Sequence, residues 1–376
     1  MSFILGVDVG TTSAAAATKD GELVEPCRLG RRARTMPSVV AIPDDGASLT
    51  GEQAERRAGL ELVDVERDLR KDLQPNAYPI VVGGQVCTPQ VMLRALHAGV
   101  VERVATLRDA LPSQVVLTHP AVPEGQRCGV VNAIVDELFP GALLVPQPIA
   151  AVAKFACDWR LPTRGLIAVY DLGGGTCEVA LVRRDHDAFS VVAADYQGLT
   201  DLGGIDVDYL VLGHVDASLH GAVARLKPSN PVDFITLSRL RSECRSAKEL
   251  LSYQAQVTID ASLPDRPAVV TMERSELEER LLPVLEPSIA MLRRLIRGSG
   301  LRWPDIDAVA VVGGSSRTPL VPKLIRTRTG LPVVMDDAPE LTVAVGAAQM
   351  IHDDSAPSSP PGRASRGRPA WVAPIG

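Results

Sequence analysis

The six cysteines never come close in sequence: the nearest pair, Cys157 and Cys177, is twenty positions apart. With no C-x-x-C pair, neither a zinc ribbon nor a disulfide framework is expected, and the thiols read as free cysteines in a reducing cytosol. Positive charge is not in excess either. Lys and Arg number 39 against 45 Asp and Glu, a net charge of −6, which argues against binding driven by phosphate neutralisation on a nucleic acid. Lysine is scarce, with only six of those 39, so a lysine at a chemical position stands out. No run of about eighteen apolar residues occurs, so no membrane span is expected. The start, MSFILGVDVG, lacks the basic and long apolar regions of a signal peptide. A cytoplasmic location follows. Neither G-x-x-x-x-G-K-[ST] nor G-x-G-x-x-G after a strand is present, which sets aside the P-loop NTPases and the dinucleotide folds.

What is present is the composition of a folded protein, 46% apolar and 22% charged over 376 residues. That length exceeds what one core serves, so two lobes are expected. The run at 3–9 ends in Asp8 and is followed by Gly10-Thr11-Thr12. The run at 166–170 ends in Asp171 and is followed by Gly173-Gly174-Gly175-Thr176. Each reads as a buried strand entering a tight turn, and the pair suggests an internal duplication. A third strand, Ala308 to Val312, runs into Gly313-Gly314-Ser315-Ser316. Thr88-Pro89 opens a periodic helix that ends before Pro112, and Ser275-x-x-Glu278 has capping-box spacing for another reaching Gly298. Pro283 and Pro287 are expected to break or kink that second helix. Strands alternating with helices make the chain α/β. After Met350 the composition turns to Pro, Ser, Gly and Arg without periodicity, which predicts a disordered tail.

Glycine-rich turns after strands bind phosphate, because missing side chains let backbone N–H groups approach and hydroxyls add donors. Gly10, Thr11 and Thr12 meet that need in one unit, and Gly173 to Thr176 in the other. Asp8 and Asp171 end the two strands. Two carboxylates facing one polyphosphate repel it unless a divalent cation lies between them, and Mg²⁺, which keeps waters and takes a few carboxylates, suits that task.

With these residues in view, the chain resembles the nucleotide-binding domain of the seventy-kilodalton heat-shock chaperones (the DnaK family) within the actin–hexokinase superfamily. Matching segments occur in the right order: DVGTTS at 8–13, TMPSVVA at 35–41, TGEQAERRA at 50–58, LTHPAVPEGQR at 117–127 and PQPIAAVAKFA at 146–156. VYDLGGGTCEVALV at 169–182, DLGGIDVDYL at 201–210, CRSAKELLS at 244–252, AVVGGSSRTPLV at 310–321 and VAVGAA at 343–348 complete the set. The resemblance covers about residues 3–351. It implies a two-lobed actin-like ATPase fold, with duplicated ribonuclease-H-like subdomains around a nucleotide cleft. Lobe I would span 1–165, with 338–352 packing back on it, lobe II 166–337, and the Pro/Ser/Arg-rich tail 353–376.

Carried over by position, Gly10, Thr11 and Thr12 hold phosphates from one lobe, and Gly173, Gly174, Gly175 and Thr176 from the other. Asp8 and Asp171 position waters on Mg²⁺, and K⁺ is a further ion the resemblance implies. Lys71 falls where the family keeps a lysine against the terminal phosphate and attacking water. Gly313, Gly314, Ser315 and Arg317 line the adenosine pocket, facing Lys248 and Ser252. ATP or ADP is the implied ligand of a monomer, with protein partners meeting the lobes or the tail.

Departures from the family temper the activity. Gln147 in Pro146-Gln147-Pro148 replaces a cleft glutamate, and an amide cannot accept a proton. Glu178 stands for an aspartate beside a monovalent-cation site. Arg245 and Glu249 exchange the family's charges, and Glu249 cannot stack on adenine, leaving Arg317 to do so. The apolar linker and peptide-binding domain of the family are not expected within 376 residues. The expectation is therefore nucleotide binding with slow or impaired ATP hydrolysis. A pseudo-ATPase scaffold, a small-molecule kinase of the same superfamily and a filament former are the alternatives. His119 reads as a hydrogen-bonded structural residue, Asp206 and Asp208 as helix-start carboxylates rather than a metal pair, and Arg31, Arg32 and Arg34 as a solvated loop.

Overall fold

The computed structural model describes residues 2–31, 33–41, 48–61, 80–82, 85–121, 134–135, 137–158, 160–199 and 202–351. Two mixed sheets organise them. In the first, β1 (Ile4–Val9) turns back into antiparallel β2 (Ser13–Asp20), followed by β3 (Leu23–Pro26), with β4 (Met36–Pro37) paired off β2. β5 (Gln114–His119) and β6 (Leu143–Pro146) extend the other side of β1 in parallel. In the second, β7 (Arg164–Leu172), β8 (Cys177–Asp185) and β9 (Ala188–Leu199) form an antiparallel meander. After a separate hairpin of β10 (Gln256–Asp260) and β11 (Val269–Glu273), β12 (Ala308–Val312) and β13 (Val333–Met335) add in parallel beside β7. The orders β3-β2-β1-β5-β6 and β9-β8-β7-β12-β13 are the same path written twice. The duplication suggested by two short motifs is a duplication of topology.

β1, β7 and β12 read as unbroken apolar runs because each is covered on both faces: Ile167, Ala168, Val169 and Tyr170 are all buried. Among the described residues, helices do the covering, including α1 (Glu52–Glu61), α2 (Pro89–Arg108), α3 (Gln147–Cys157), α4 (Gly204–Ser218), α5 (Pro231–Leu251), α6 (Arg274–Gly298), α7 (Leu320–Thr329) and α8 (Thr342–Gln349). α2 begins as its sequence predicts, with Thr88 as N-cap accepting from the Val91 amide and Pro89 in the first turn.

α6 departs from expectation twice. Its capping box is Glu273 with Glu276, whose carboxylate accepts from the Glu273 amide at 2.8 Å, two residues ahead of the Ser275–Glu278 pair. It also runs unbroken through Pro283 and Pro287. The two prolines are exposed and lie one turn apart, so the carbonyls they leave unpaired face water, while Leu277, Leu281, Leu285, Ile289 and Leu292 stay buried on the other side.

Each sheet has its own core on its outer side. A third core gathers Ile4, Val116 and Val145 of the first sheet, Ile167, Val169 and Val312 of the second, and Phe155 of α3 with Val343 and Ala347 of α8. It locks the two sheets together beneath the cleft. Small residues allow this close crossing: a Cβ on Gly346 would lie 1.8 Å from the Ala150 carbonyl oxygen, and one on Gly6 would lie 2.4 Å from that of Ala344. Of the cysteines described, Cys27, Cys177 and Cys244 are buried and Cys157 is exposed, all as free thiols. No helix among the described residues is long and apolar enough to cross a membrane. The expected tail at 353–376 lies outside the described residues.

Candidate functional site

The two strand–turn units meet head to head. In one, the Gly10 amide donates to the Ser13 carbonyl at 2.9 Å; in the other, the Gly173 amide donates to the Thr176 carbonyl at 3.0 Å. The turns interlock across the gap between the sheets. A Cβ on Gly174 would sit 1.8 Å from the Thr12 hydroxyl, and one on Gly175 would sit 2.7 Å from a Thr11 methyl. Glycine on one side thus makes room for threonine on the other. The second turn is also tied from behind. Gly204 and Ile205, at the start of α4, donate to the carbonyls of Gly173 and Gly174 at 3.0 and 2.8 Å, and the Ser315 hydroxyl donates to Gly173 at 2.7 Å. Gly313 must be glycine: its φ is 85°, and a Cβ there would strike the Leu172 carbonyl.

These turns wall a cavity of about 740 Å³, a size that suits a nucleotide-sized ligand. Asp8, Gly10, Thr11, Thr12 and Gln147 face it from the first sheet and its helix, and Asp171, Gly173, Gly174 and Thr176 from the second. Lys248 and Ser252 of α5 and its cap, with Gly313, Gly314, Ser315 and Arg317 after β12, complete the predicted set. Gly175 alone of the described candidates is not on the wall, because it packs against Thr11. Lys71 lies outside the described residues. Arg34, expected in a solvated loop, is exposed and also lines the cavity, and Arg31 is exposed while its backbone amide donates to Glu52. Arg32 lies outside the described residues.

Gln147 stands at the first turn of α3 and is 5% exposed. Its amide donates to one Asp8 carboxylate oxygen at 2.6 Å, and the Thr118 hydroxyl donates to the same oxygen at 2.6 Å. Asp8 is thereby satisfied by neutral donors. A glutamate in place of Gln147 would put two carboxylates in contact, a pairing that needs a proton or a cation to persist. Behind Gln147 and Asp171 lies a second, small cavity of about 20 Å³, room for about one water, closed by Glu178 and Asp195. Glu178 stands opposite Asp171 in the β7–β8 ladder, and Asp195 of β9 stands opposite Val179. Asp195 escaped sequence reasoning, although an acid ending the run VVAAD in a strand was a signal.

Asp206 and Asp208 separate in role. Asp206 accepts from the Gly203 amide at 2.8 Å and caps α4, as expected. Asp208 instead pairs with Lys248 at 2.7 Å; burial raises its pKa while Lys248 pulls it down. Lys248 also donates to the Gly204 carbonyl at 2.9 Å. Among the described residues no group of three His, Cys, Asp or Glu is arranged to hold a metal. Of the carboxylates on the cavity wall, Asp8 and Asp171, which end the two paired strands, fit an ion bound mostly through waters and phosphate oxygens. Arg317 is held by Glu340, with Nε 2.9 Å from one carboxylate oxygen and Nη2 on the other, and its Nη1 meets the Tyr253 hydroxyl. Glu340 accordingly raises the Arg317 pKa. Neither Glu340 nor Tyr253 was legible as a site residue. His119 is buried with Nδ1 2.8 Å from the Pro120 carbonyl oxygen, and burial lowers its pKa, which fits the structural role expected of it.

The sequence profile of the Hsp70 protein family matches residues 114–352, well over half of the chain and most of the second sheet's surroundings. The chain belongs to the Hsp70 family, and with that membership goes nucleotide binding of the chaperone ATPase type.

Proposed function

From that membership, we propose that the chain binds ATP with Mg²⁺ between its two sheets, hydrolyses it slowly, and uses the bound nucleotide to set how its lobes engage a protein partner. The lobes are drawn as 1–165 with 338–352, and 166–337. The observation that carries the reading is the pair of interlocked turns, Gly10–Ser13 and Gly173–Thr176, on one cavity of about 740 Å³. Phosphates placed there meet backbone donors and the Thr11, Thr12 and Thr176 hydroxyls from opposite sides. Mg²⁺, when bound, supplies the charge that lets Asp8 and Asp171 share a site with polyphosphate. Pulling on both turns at once, a polyphosphate favours the closed arrangement of the lobes.

Slow hydrolysis follows from Gln147. One amide N–H is spent on Asp8, so the side chain can offer its carbonyl oxygen to orient a water but cannot take that water's proton. Losing a positioned acid–base group costs roughly 10²–10⁴-fold in rate. The proton then passes to Asp171, the strand-end carboxylate beside the second turn. The Gln147–Asp8 contact also favours a second reading, a nucleotide-locked scaffold that does not turn over, because it keeps Asp8 paired without a cation.

The test is to incubate the purified protein with Mg-ATP and K⁺, isolate the complex quickly and identify the bound nucleotide. Bound ADP supports the slow ATPase. ATP still intact after hours supports the scaffold, and a protein that retains neither sinks both.

A further inference from the structure

α5 ends in a tight turn in which the amides of Tyr253 and Gln254 both donate to the Leu250 carbonyl, at 2.9 and 2.8 Å. The turn delivers Tyr253 to the rim of the 740 Å³ cavity, where the side chain is 67% exposed. The chain has only five tyrosines, and this one stands open to water with its hydroxyl on Nη1 of Arg317. Arg317 is not free to wander: Glu340 grips its guanidinium through two nitrogens, which fixes the plane of the group. A fixed planar cation and an aromatic ring therefore stand side by side at the mouth of one cavity. A held guanidinium plane with an aromatic ring beside it binds another flat ring by stacking, with the cation adding attraction to a π face. The carboxylate of Glu249, one helical turn before Tyr253 and on the same cavity wall, is an acceptor suited to an exocyclic amino group.

We propose that Tyr253 forms the outer wall of a base slot whose inner wall is Arg317, so that the nucleobase stacks between the ring and the guanidinium. This rests on the nucleotide reading of the cavity. The Tyr253–Arg317 hydrogen bond spans the slot, and base entry replaces it. The ring thus contributes affinity, while the hydroxyl opposes entry.

That division gives an ordering. Tyr253→Ala lowers ATP affinity about tenfold or more, the size of one lost base stack. Tyr253→Phe keeps the ring, removes the bond that must break, and binds ATP at least as tightly as wild type. Tripolyphosphate, which has no base, binds all three proteins equally, which also reports that the variants are folded. The fluorescence of 1,N⁶-ethenoadenosine triphosphate is quenched on binding to wild type and Tyr253→Phe, and much less on Tyr253→Ala.

Calorimetry of ATP and tripolyphosphate with the three proteins decides the matter. Equal ATP affinity in wild type and Tyr253→Ala overturns the stack. So does a Tyr253→Phe protein as weak as Tyr253→Ala, which would make the hydroxyl the working part. A wild-type protein that binds neither ATP nor tripolyphosphate overturns the nucleotide reading itself, an outcome distinct from the other two.

Discussion

The two interlocked turns are built to the same hydrogen-bond plan and held by opposite means. The first presents side chains: Thr11 is 4% exposed, Thr12 occupies the space that Gly174 leaves, and Asp8 at the strand end is held by the neutral groups of Thr118 and Gln147. The second presents missing side chains, is tied through its own carbonyls to α4 and Ser315, and keeps Asp171 in the company of Glu178 and Asp195. A duplicated unit has thus divided its labour. Where two backbones approach this closely, only one of them has room for a hydroxyl. The negative charge has become unequal as well, because Gln147 removes a carboxylate from the first side while the second retains three in close company.

The interlock is the place to break the comparison with the largest effect. Gly174→Val puts a branched side chain where Thr12 already sits, at 1.8 Å, and no rotamer of Thr12 clears its own Cβ at 2.6 Å. The turns must separate, and Mg-ATP affinity by calorimetry is expected to fall by about a hundredfold or more. Gly173→Ala, one residue away in the same turn, meets its nearest atom at 3.5 Å, an ordinary contact, and is expected to stay within about threefold of wild type. Equal losses in the two variants would mean that the turn tolerates no side chain anywhere, and that the contact with Thr12 is not what matters.

The charge asymmetry is sharpened by restoring the acid. Gln147→Glu places a carboxylate 2.6 Å from Asp8, close to Asp171. Like charges at that distance do not both ionise without a cation, so the variant is expected to melt several degrees lower in chelator and to recover in millimolar Mg²⁺. Single-turnover hydrolysis is expected to rise about tenfold or more if the missing proton acceptor limits the wild type. Recovered stability with an unchanged rate would leave Gln147 as a charge-pairing residue and move the limit on turnover elsewhere. A variant whose melting ignores Mg²⁺ would show that the two side chains do not face each other.

Much of this architecture is legible in the amino-acid sequence alone. The paired strand–Asp–turn motifs mark both halves of the fold, since an apolar run covered on both faces and a glycine turn are local signals, and the candidate residues of the described segments lie together apart from Gly175. What is not legible depends on distance along the chain. Glu340 reaches Arg317 from 23 residues away and Tyr253 from 64, and nothing in the runs around them marks the meeting. Asp195 is set opposite Val179 only by the β8–β9 register, which shifts at irregularities along the ladder. The α6 cap sits two residues from the expected pair because Ser275–Glu278 and Glu273–Glu276 have equal spacing, and tertiary packing chooses between them. The prolines of α6 defy expectation for a related reason: their cost depends on which face they occupy, and the sequence does not say where water will be.

The smallest effect belongs to His119, at the end of β5, the first-sheet strand that parallels β1. Burial lowers its pKa from the ordinary value of 6.5, against the opposing pull of the Pro120 carbonyl. A base with a lowered folded-state pKa takes up its proton more readily in the unfolded chain. The folded state therefore keeps its full contribution above pH 6.5 and loses it as the pH falls from 6.5 toward the lower folded-state value. The slope in that window is at most about 1.4 kcal/mol per pH unit from one imidazole. His119→Gln retains an amide for the Pro120 carbonyl and does not titrate, so its melting temperature is expected to fall less steeply than that of the wild type between about pH 6.5 and 5. Taking the difference between the two proteins cancels every other titrating group and leaves this one. Parallel curves would mean that the imidazole titrates alike in the folded and unfolded chain, and that the acid sensitivity of the first sheet has another source.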